Sequence, residues 1–325
     1  MQHIQTLSHF PRQYSWIKKL YRAKIAFVGL IRMIAPDSIE KTLESLGAFL
    51  KRVENPVKDD WDPIELGMWV AKLEYPGVDV QAQVKIFRET LNTVLVDFPK
   101  SATVKEQTKF LLTVYRDVLG FQGDTTNYYN VKNSFLNDVL VRRKGIPITL
   151  SLVFMEMCRA VNLKAAGISF PGHFLIKIMD QDKDKDHSEE WFVDTFDGAK
   201  ILSLEDCQER LETWTKGMIP FGPDALKVAH PREIVSRMLR NLRAIYFEKE
   251  DLTRLYWVLT ALAELCPAES IESLRERAFL FARMGRYRAA IQDLRTVIKS
   301  SSSLHNRDHL EKILRYFELQ KEVTN

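Results

Sequence analysis

The chain of 325 residues is 46% hydrophobic and 10% aromatic, a composition that fits a globular protein and excludes a disordered or fibrous one. Its longest strictly apolar run, residues 25–31, is shorter than the roughly 20 residues that a membrane-spanning helix needs. The formal net charge of +4 arises in residues 1–36, which hold six basic and no acidic side chains, so the rest of the chain lacks the basic excess of a nucleic-acid-binding domain.

Residues 1–55 are predicted to be a basic N-terminal extension. Apolar side chains recur at helical spacing among the cations of residues 1–36. Two arrangements are open: a helix that docks on the rest of the protein, or an amphipathic segment that makes peripheral contact with an anionic membrane. A signal peptide fits less well, because Arg32 interrupts the apolar run and no small-residue cleavage site precedes Asp37.

Residues 56–231 are predicted to form an α+β domain that begins with helices. Helical periodicity in residues 65–75, 79–98 and 105–121 gives a helical lead-in. Residues 148–163 are almost continuously apolar, which is typical of a helix buried on every side. Pro147 marks the start of this central helix, because proline is favoured at the first helical position.

Strand-like segments follow the central helix. They are residues 165–170, 174–179 and 191–196. A break at Pro171 and Gly172 separates the first segment from the second, and a charged tip, residues 180–190, separates the second from the third. A central helix followed by antiparallel strands gives the α+β class.

The charged tip contains alternating aspartates at positions 180, 182, 184 and 186, a pattern that suggests calcium binding. The register of an EF-hand loop excludes that interpretation. Its glycine and glutamate positions hold Lys185 and Trp191 in one register, and His187 and Val193 in the other. We therefore expect a solvated loop and no metal site.

Residues 232–325 are predicted to be helical. Small and aromatic side chains in the stretch 277–298 have the order and spacing of a tetratricopeptide repeat, and a degenerate copy precedes it by one period. The residues that carry this pattern are Ala278, Phe281, Gly285, Tyr287, Ala290 and Leu294. Such helices either present a groove to a protein or peptide partner, or cap the preceding domain.

The three cysteines, Cys158, Cys207 and Cys266, are scattered without a CxxC motif or a Cys/His cluster. Their spacing argues against a disulfide framework and against a zinc site. It is typical of a reducing compartment, so we expect a cytoplasmic protein without a cofactor.

His173 and Asp194 are the candidate catalytic residues. His173 follows the Pro171-Gly172 break, and Asp194 lies in the next strand-like segment, so adjacent antiparallel strands could bring them together. A carboxylate that holds one imidazole nitrogen orients the ring as a general base. A purely structural hydrogen bond between the two side chains is the alternative.

Residues 128–163, 170–178 and 191–207 closely resemble the SirB family of bacterial transglutaminase-like proteins, which also carry C-terminal tetratricopeptide helices. The resemblance extends over residues 60–300 and implies a papain-like core with His173 and Asp194 as its histidine and aspartate. In active members of the wider superfamily, a Gly-x-Cys pattern places the nucleophile at the start of the central helix. Here Gly145-Ile146-Pro147 matches that pattern, with Phe154 and Arg159 at the expected downstream positions. Proline therefore occupies the nucleophile position.

Other nucleophiles fit poorly. Cys158 lies eleven residues beyond Pro147, about 16 Å along the helix. Thr149 points to roughly the opposite side of the helix, and Ser151 lies a full turn deeper. Neither Cys207 nor Cys266 lies in a recognisable motif.

Six residues are candidates for binding. Five of them precede the central helix and match the family pattern there, and the sixth lies in the strand break. The asparagines either cap a helix or line the cleft, and the arginines either hold an anion or form a solvated basic turn. The candidates are Tyr128, Asn133, Asn137, Arg142, Arg143 and Gly172.

The sequence favours a non-catalytic transglutaminase-like protein that acts as a cytoplasmic interaction or regulatory module through its tetratricopeptide-like tail and the cleft of His173 and Asp194. A protein or peptide partner is expected on residues 232–325. The alternative is a hydrolase or acyl-transfer enzyme that uses His173 and Asp194 without a cysteine. Nucleic acid is not expected as a partner.

Overall fold

The structure, a computed structural model, describes residues 36–52, 60–179, 191–300 and 304–324. Two expectations fall on residues outside these ranges: the basic arm, predicted for residues 1–36, of which 1–35 are not described, and the charged tip of residues 180–190. The chain forms two compact units, Asp37–Ala261 and one that contains Leu262–Asn325. The domain boundaries after residues 55 and 231 stay predictions.

Helices form the first part of the Asp37–Ala261 unit. They are α1 (Pro36–Lys51), α2 (Pro63–Lys72), α3 (Val80–Val94) and α4 (Val104–Thr113). The side chains of Asp62, Asp79 and Thr103 accept hydrogen bonds from backbone N–H groups in the first turns of α2, α3 and α4. Such caps satisfy N–H groups that have no partner within the helix, so local sequence fixes where these helices begin.

Short elements connect α4 to the central helix. They are β1 (Gln122–Gly123), α5 (Leu136–Arg142) and β2 (Lys144–Gly145). β1 and β2 pair in parallel, with Gln122 opposite Lys144. This pairing fixes the chain just before the central helix to the end of the lead-in.

The central helix α6 (Pro147–Ala160) is buried at every residue from Pro147 to Cys158. It packs against α2, α3 and the first two strands of the main sheet. A helix that is apolar all round belongs inside a core, as the sequence indicates.

The main sheet is antiparallel and has four strands in sequential order. They are β3 (Ala165–Ile168), β4 (Leu175–Ile178), β5 (Trp191–Asp194) and β6 (Lys200–Leu202). Helix α7 (Leu204–Thr215) follows β6 and packs Cys207 and Leu211 into an apolar cluster with strand residues. The predicted α+β class is confirmed.

Two further helices follow, α8 (Pro231–Glu248) and α9 (Leu252–Leu265). Glu74, just beyond α2, accepts hydrogen bonds from Tyr246 at 3.1 Å and from Arg254 at 2.8 Å. These bonds attach α8 and the start of α9 to the lead-in helices.

The described residues from Leu262 onward in the second unit are mainly helical. Its helices after α9 are α10 (Ser270–Arg283), α11 (Tyr287–Ser300) and α12 (Leu304–Thr324). Arg277 on α10 pairs with Asp293 on α11 at 2.8 Å, and Ala278 and Ala290 are buried. Across the described ranges, no helix is both long and apolar enough to cross a membrane.

Candidate functional site

His173 and Asp194 lie side by side at one end of the main sheet. Ile176 of β4 is opposite Val193 of β5, which places the end of β5 beside the start of β4. Gly172, with a φ of 73°, turns the chain into this position, a backbone conformation that glycine adopts without a steric cost. The structure brings the two candidate residues together, with 3.0 Å between His173 Nε2 and Asp194 Oδ1.

Asp194 is fully buried and accepts hydrogen bonds on both oxygens. Oδ1 also accepts from the backbone N–H groups of Phe196 at 2.9 Å and Asp197 at 3.1 Å, and Oδ2 accepts from Arg210 at 2.5 Å. Burial acts to raise the pKa of this carboxyl, but the hydrogen bond and charge of His173 and the backbone donors outweigh it, so its pKa lies below the ordinary 3.8. Asp194 is therefore held as a carboxylate.

Arg210 is a site residue that the sequence analysis missed. It lies on α7 and joins Asp194 to Asp197, which it also contacts at 3.0 Å. Its side chain is only 16% exposed, so this ion pair is largely desolvated. Arg210 lies 16 residues beyond Asp194, across a strand and a turn, and no spacing rule in the sequence links the two.

The second ring nitrogen of His173, Nδ1, has no hydrogen-bond partner in the part of the chain that the structure describes. Because the Asp194 carboxylate can only accept, Nε2 is the nitrogen that carries a proton toward it, and in the neutral form of the ring Nδ1 carries a lone pair. His173 itself is 7% exposed. The carboxylate therefore fixes the orientation of the imidazole, and Nδ1 is left without a protein partner among the described residues.

Aromatic rings surround His173. Trp214 lies 5.0 Å and Phe196 6.0 Å from it between ring centroids, and Tyr128 contacts Phe196 at 5.8 Å. We call His173, Tyr128, Phe196 and Trp214 the His173 cluster. Tyr128 is 37% and Trp214 45% exposed, so the edge of the cluster is open to solvent.

Gly123 supports this cluster from β1. A Cβ atom on Gly123 would lie 2.6 Å from the Phe196 ring and 2.7 Å from its carbonyl oxygen. Any side chain at this position would therefore displace Phe196, and with it a ring that contacts both His173 and Tyr128.

The start of α6 holds no free nucleophile. Pro147 is buried in the first turn. The Thr149 hydroxyl donates to the carbonyl oxygen of Asn133 at 2.8 Å and accepts from the Ile146 N–H at 3.2 Å. The Oγ atom of Ser151 lies 3.1 Å from the Thr195 hydroxyl. All these polar groups bond to other parts of the core.

The cysteine thiols within the core are poor nucleophiles. Burial raises the pKa of Cys158, which is fully enclosed. Burial also raises the pKa of Cys207 to about 12, and Cys266 is buried as well. A thiol must ionise before it can attack, so Cys158 and Cys207 are poor nucleophiles at neutral pH.

Neither asparagine caps a helix, which was one of the two roles that the sequence left open for them. Asn133 donates to the Asn127 carbonyl at 2.8 Å and accepts from Arg142 at 2.8 Å, so it holds a loop rather than a helix end. Asn137 lies within the first turn of α5, where Phe135 is the N-cap, and its buried Oδ1 has no hydrogen-bond partner.

The interpretation of Arg142 and Arg143 as a solvated basic turn is also wrong. Besides Asn133, Arg142 contacts Asp124 at 3.3 Å. Arg143 takes a left-handed conformation with a φ of 60°, and its guanidinium lies 4.8 Å from the centre of the Phe121 ring. Both arginines are half-buried and serve the packing of the β1–β2 region.

A second residue that the sequence analysis missed is Arg237 on α8. It donates to the Phe170 carbonyl at 3.0 Å and to the Ser169 hydroxyl at 3.3 Å, in the turn that presents His173.

No group of three or more metal-ligating side chains occurs within the described ranges.

Comparisons with known proteins agree with this architecture. Residues 79–240 match a model of the transglutaminase-like superfamily, and residues 242–315 match a tetratricopeptide repeat model. The chain therefore contains a transglutaminase-like domain followed by tetratricopeptide repeats, as the resemblance implies. Membership of the SirB family itself stays a prediction.

Three relatives illustrate the range of similarity. A UPF0162 protein of Xylella fastidiosa is 29% identical over 263 residues, 78% of this chain and 89% of the relative. A UPF0162 protein of Pasteurella multocida is 25% identical over 206 residues, 62% of this chain and 74% of the relative. Human F-box only protein 21 is 23% identical over 260 residues, 77% of this chain but 40% of its own length.

Proposed function

We propose that this protein is a non-catalytic transglutaminase-like module that binds a protein or peptide partner through its tetratricopeptide repeats. Such repeats generally mediate contacts between proteins, because their stacked helices present an extended surface. The transglutaminase-like domain would then serve as a regulatory or binding domain.

One observation carries this proposal. The histidine and aspartate of a catalytic triad are in hydrogen-bond contact, but no thiol or hydroxyl hydrogen-bonds to His173 in the described residues. By the resemblance, Pro147 falls on the position of the superfamily's nucleophile, and proline supplies neither a thiol nor an N–H for an oxyanion.

A second candidate is an enzyme without a nucleophile of its own, a hydrolase or acyl-transfer enzyme in which His173 removes a proton from water or from a substrate group. The unpartnered Nδ1 and the buried carboxylate behind the ring favour it. A general base alone contributes about 10²–10⁴-fold to a rate, so any such activity would depend strongly on His173.

A turnover assay separates the two functions. Full-length protein would be incubated with peptide amides and esters, and compared with His173→Ala and with Arg243→Gln on α8 as a control. We expect no turnover that depends on His173. Hydrolysis or acyl transfer that His173→Ala abolishes and Arg243→Gln retains would contradict the non-catalytic function.

Partner binding is tested on the repeat helices. A cavity of about 360 Å³ between α11 and α12 is lined by Arg288, Lys321 and other polar side chains. We expect Arg288→Glu with Lys321→Glu to lose a partner that co-purifies quantitatively with the wild type. Lys85→Glu with Lys109→Glu makes the same charge change at exposed sites in the other unit and should retain it. Retention by the first pair would contradict binding at these helices.

The cytoplasmic location and the peripheral membrane contact of residues 1–36 are separate proposals. Liposome sedimentation of the full chain and of a form without residues 1–36 tests the second. Equal sedimentation of both on anionic vesicles would end it.

A further inference from the structure

Arg237 is a cation without an acidic partner. Its Nη1 bonds to two neutral groups, the Phe170 carbonyl and the Ser169 hydroxyl, and its guanidinium lies 5.8 Å from the centre of the Phe174 ring. Within the described chain no carboxylate pairs with it. Burial lowers the pKa of this guanidinium, so its charge sits in a partly desolvated place where proteins normally supply a counter-charge.

The position of Arg237 ties it to His173. The Phe170 carbonyl that accepts from Arg237 also accepts the His173 backbone N–H at 3.0 Å, so one turn holds both residues. Arg237 also lies close enough to Tyr128 for the two side chains to interact electrostatically. The guanidinium therefore adjoins the His173 cluster, whose Tyr128 and Trp214 rings are open to solvent.

Three donors remain unused at this place. Nε and Nη2 of Arg237 and the Tyr128 hydroxyl have no hydrogen-bond partner in the described part of the chain. The Nε and Nη2 edge of a guanidinium forms two parallel hydrogen bonds with a carboxylate. Arg240 on the same helix acts on this guanidinium as a second positive charge, so the place attracts an anion, and the planar pair of donors matches a carboxylate.

We propose that Arg237 and Tyr128 form a subsite that binds the carboxylate of a ligand whose apolar part lies against Phe196 and Trp214, beside His173. A peptide C-terminus or an acidic side chain next to an apolar residue has this chemistry. The subsite rests on the proposed function, because it assigns a ligand class to the binding role of the transglutaminase-like domain.

Small probes test this subsite on the full-length protein. Hippurate carries an aromatic ring and a carboxylate, hippuramide carries the same ring without the charge, and phenyl phosphate carries a dianion. Titration calorimetry should give at least about tenfold tighter binding of hippurate than of hippuramide, the difference that a desolvated ion pair supplies. The His173 ring nitrogens should shift in NMR spectra as hippurate binds.

Variants locate the anion. Arg237→Gln should weaken hippurate binding by about tenfold or more, and Arg243→Gln, which removes the same charge from the same helix, should change it by less than about twofold. Tyr128→Phe should weaken binding by about threefold to tenfold. If Arg237→Gln unfolds, Arg237→Lys keeps the charge without the paired donors and should bind hippurate more weakly than the wild type.

Several results would overturn the subsite. One is the absence of saturable hippurate binding up to about 10 mM, and another is equal affinity for hippurate and hippuramide. A third is an equal loss of hippurate affinity in Arg237→Gln and Arg243→Gln. The fourth is tighter binding of phenyl phosphate than of hippurate. If one of these occurs while Arg288→Glu with Lys321→Glu still loses its partner, the subsite is wrong and the repeat-mediated function stands.

Discussion

On the strand side of the site, His173 and Asp194 form a 3.0 Å hydrogen bond that leaves Nδ1 of the imidazole free. On the helix side, Thr149 and Ser151 have hydroxyls too, but these bond to a backbone carbonyl and to the Thr195 hydroxyl. The strand side thus presents a group with unused bonding capacity, and the helix side presents none.

The difference shows that the two sides of the candidate site are stabilised independently of each other. Asp194 and Arg210 stabilise the strand side by themselves, because a buried carboxylate with four hydrogen bonds needs no nucleophile nearby. A proline at position 147 suits the first turn of a helix, so its presence costs the fold little.

The largest expected effect comes from removing the carboxylate on the strand side. Asp194→Ala leaves Arg210 and two backbone N–H groups without their acceptor and should lower the free energy of unfolding by about 3–5 kcal/mol. Urea denaturation measures it. Asp117→Ala removes an exposed partner of Arg116 and should change the free energy of unfolding far less, because solvent screens that ion pair. A cost for Asp194→Ala as small as that of Asp117→Ala would show that the strand side is not held by this ion pair.

Part of that stabilisation should disappear in acid. The pKa of Asp194 in the folded protein lies below its ordinary 3.8, so its contribution is present above that value and is lost as the pH falls toward the folded pKa. The difference in free energy of unfolding between wild type and Asp194→Asn should therefore be constant above about pH 5 and decrease below about pH 4. A gap that stays constant down to about pH 2 would contradict the lowered pKa.

Removing a hydroxyl on the helix side should lower the free energy of unfolding and should not affect a reaction. Thr149→Val leaves the Asn133 carbonyl and the Ile146 N–H without a buried partner and should cost about 1–3 kcal/mol. Thr93→Val, at an exposed helix position, is the control and should change stability by less than about 0.5 kcal/mol. Equal effects would mean that Thr149 is not part of the helix start.

A thiol on the helix side sharpens the comparison further. Pro147→Cys places a thiol at a helix N-terminus, where the dipole lowers its pKa, and a His173 imidazole that faces this position would lower it further. Its alkylation by iodoacetamide near pH 6 should be about tenfold faster than that of Pro147→Cys with His173→Gln. The native cysteines are buried and give little background. Equal rates would show that His173 does not face the start of α6.

Much of the fold could be predicted because its signals are local. Continuous apolarity identified the central helix, and Pro171-Gly172 separated the first two strands. Arg210 and Arg237 could not be found in this way, since they reach the site from later helices through contacts 16 and 67 residues apart in sequence. Asn133 was misjudged because its preference for helix caps is a local tendency, whereas Arg142 and the 127–128 carbonyls bind it across a loop.

The close approach of Gly123 to Phe196 has a consequence for how this protein tolerates variation. Position 123 carries no functional group, yet a methyl there would have to move a ring that touches His173. In a deep mutational scan it should therefore behave as a site residue, intolerant even of alanine, while exposed positions of the same domain accept most substitutions.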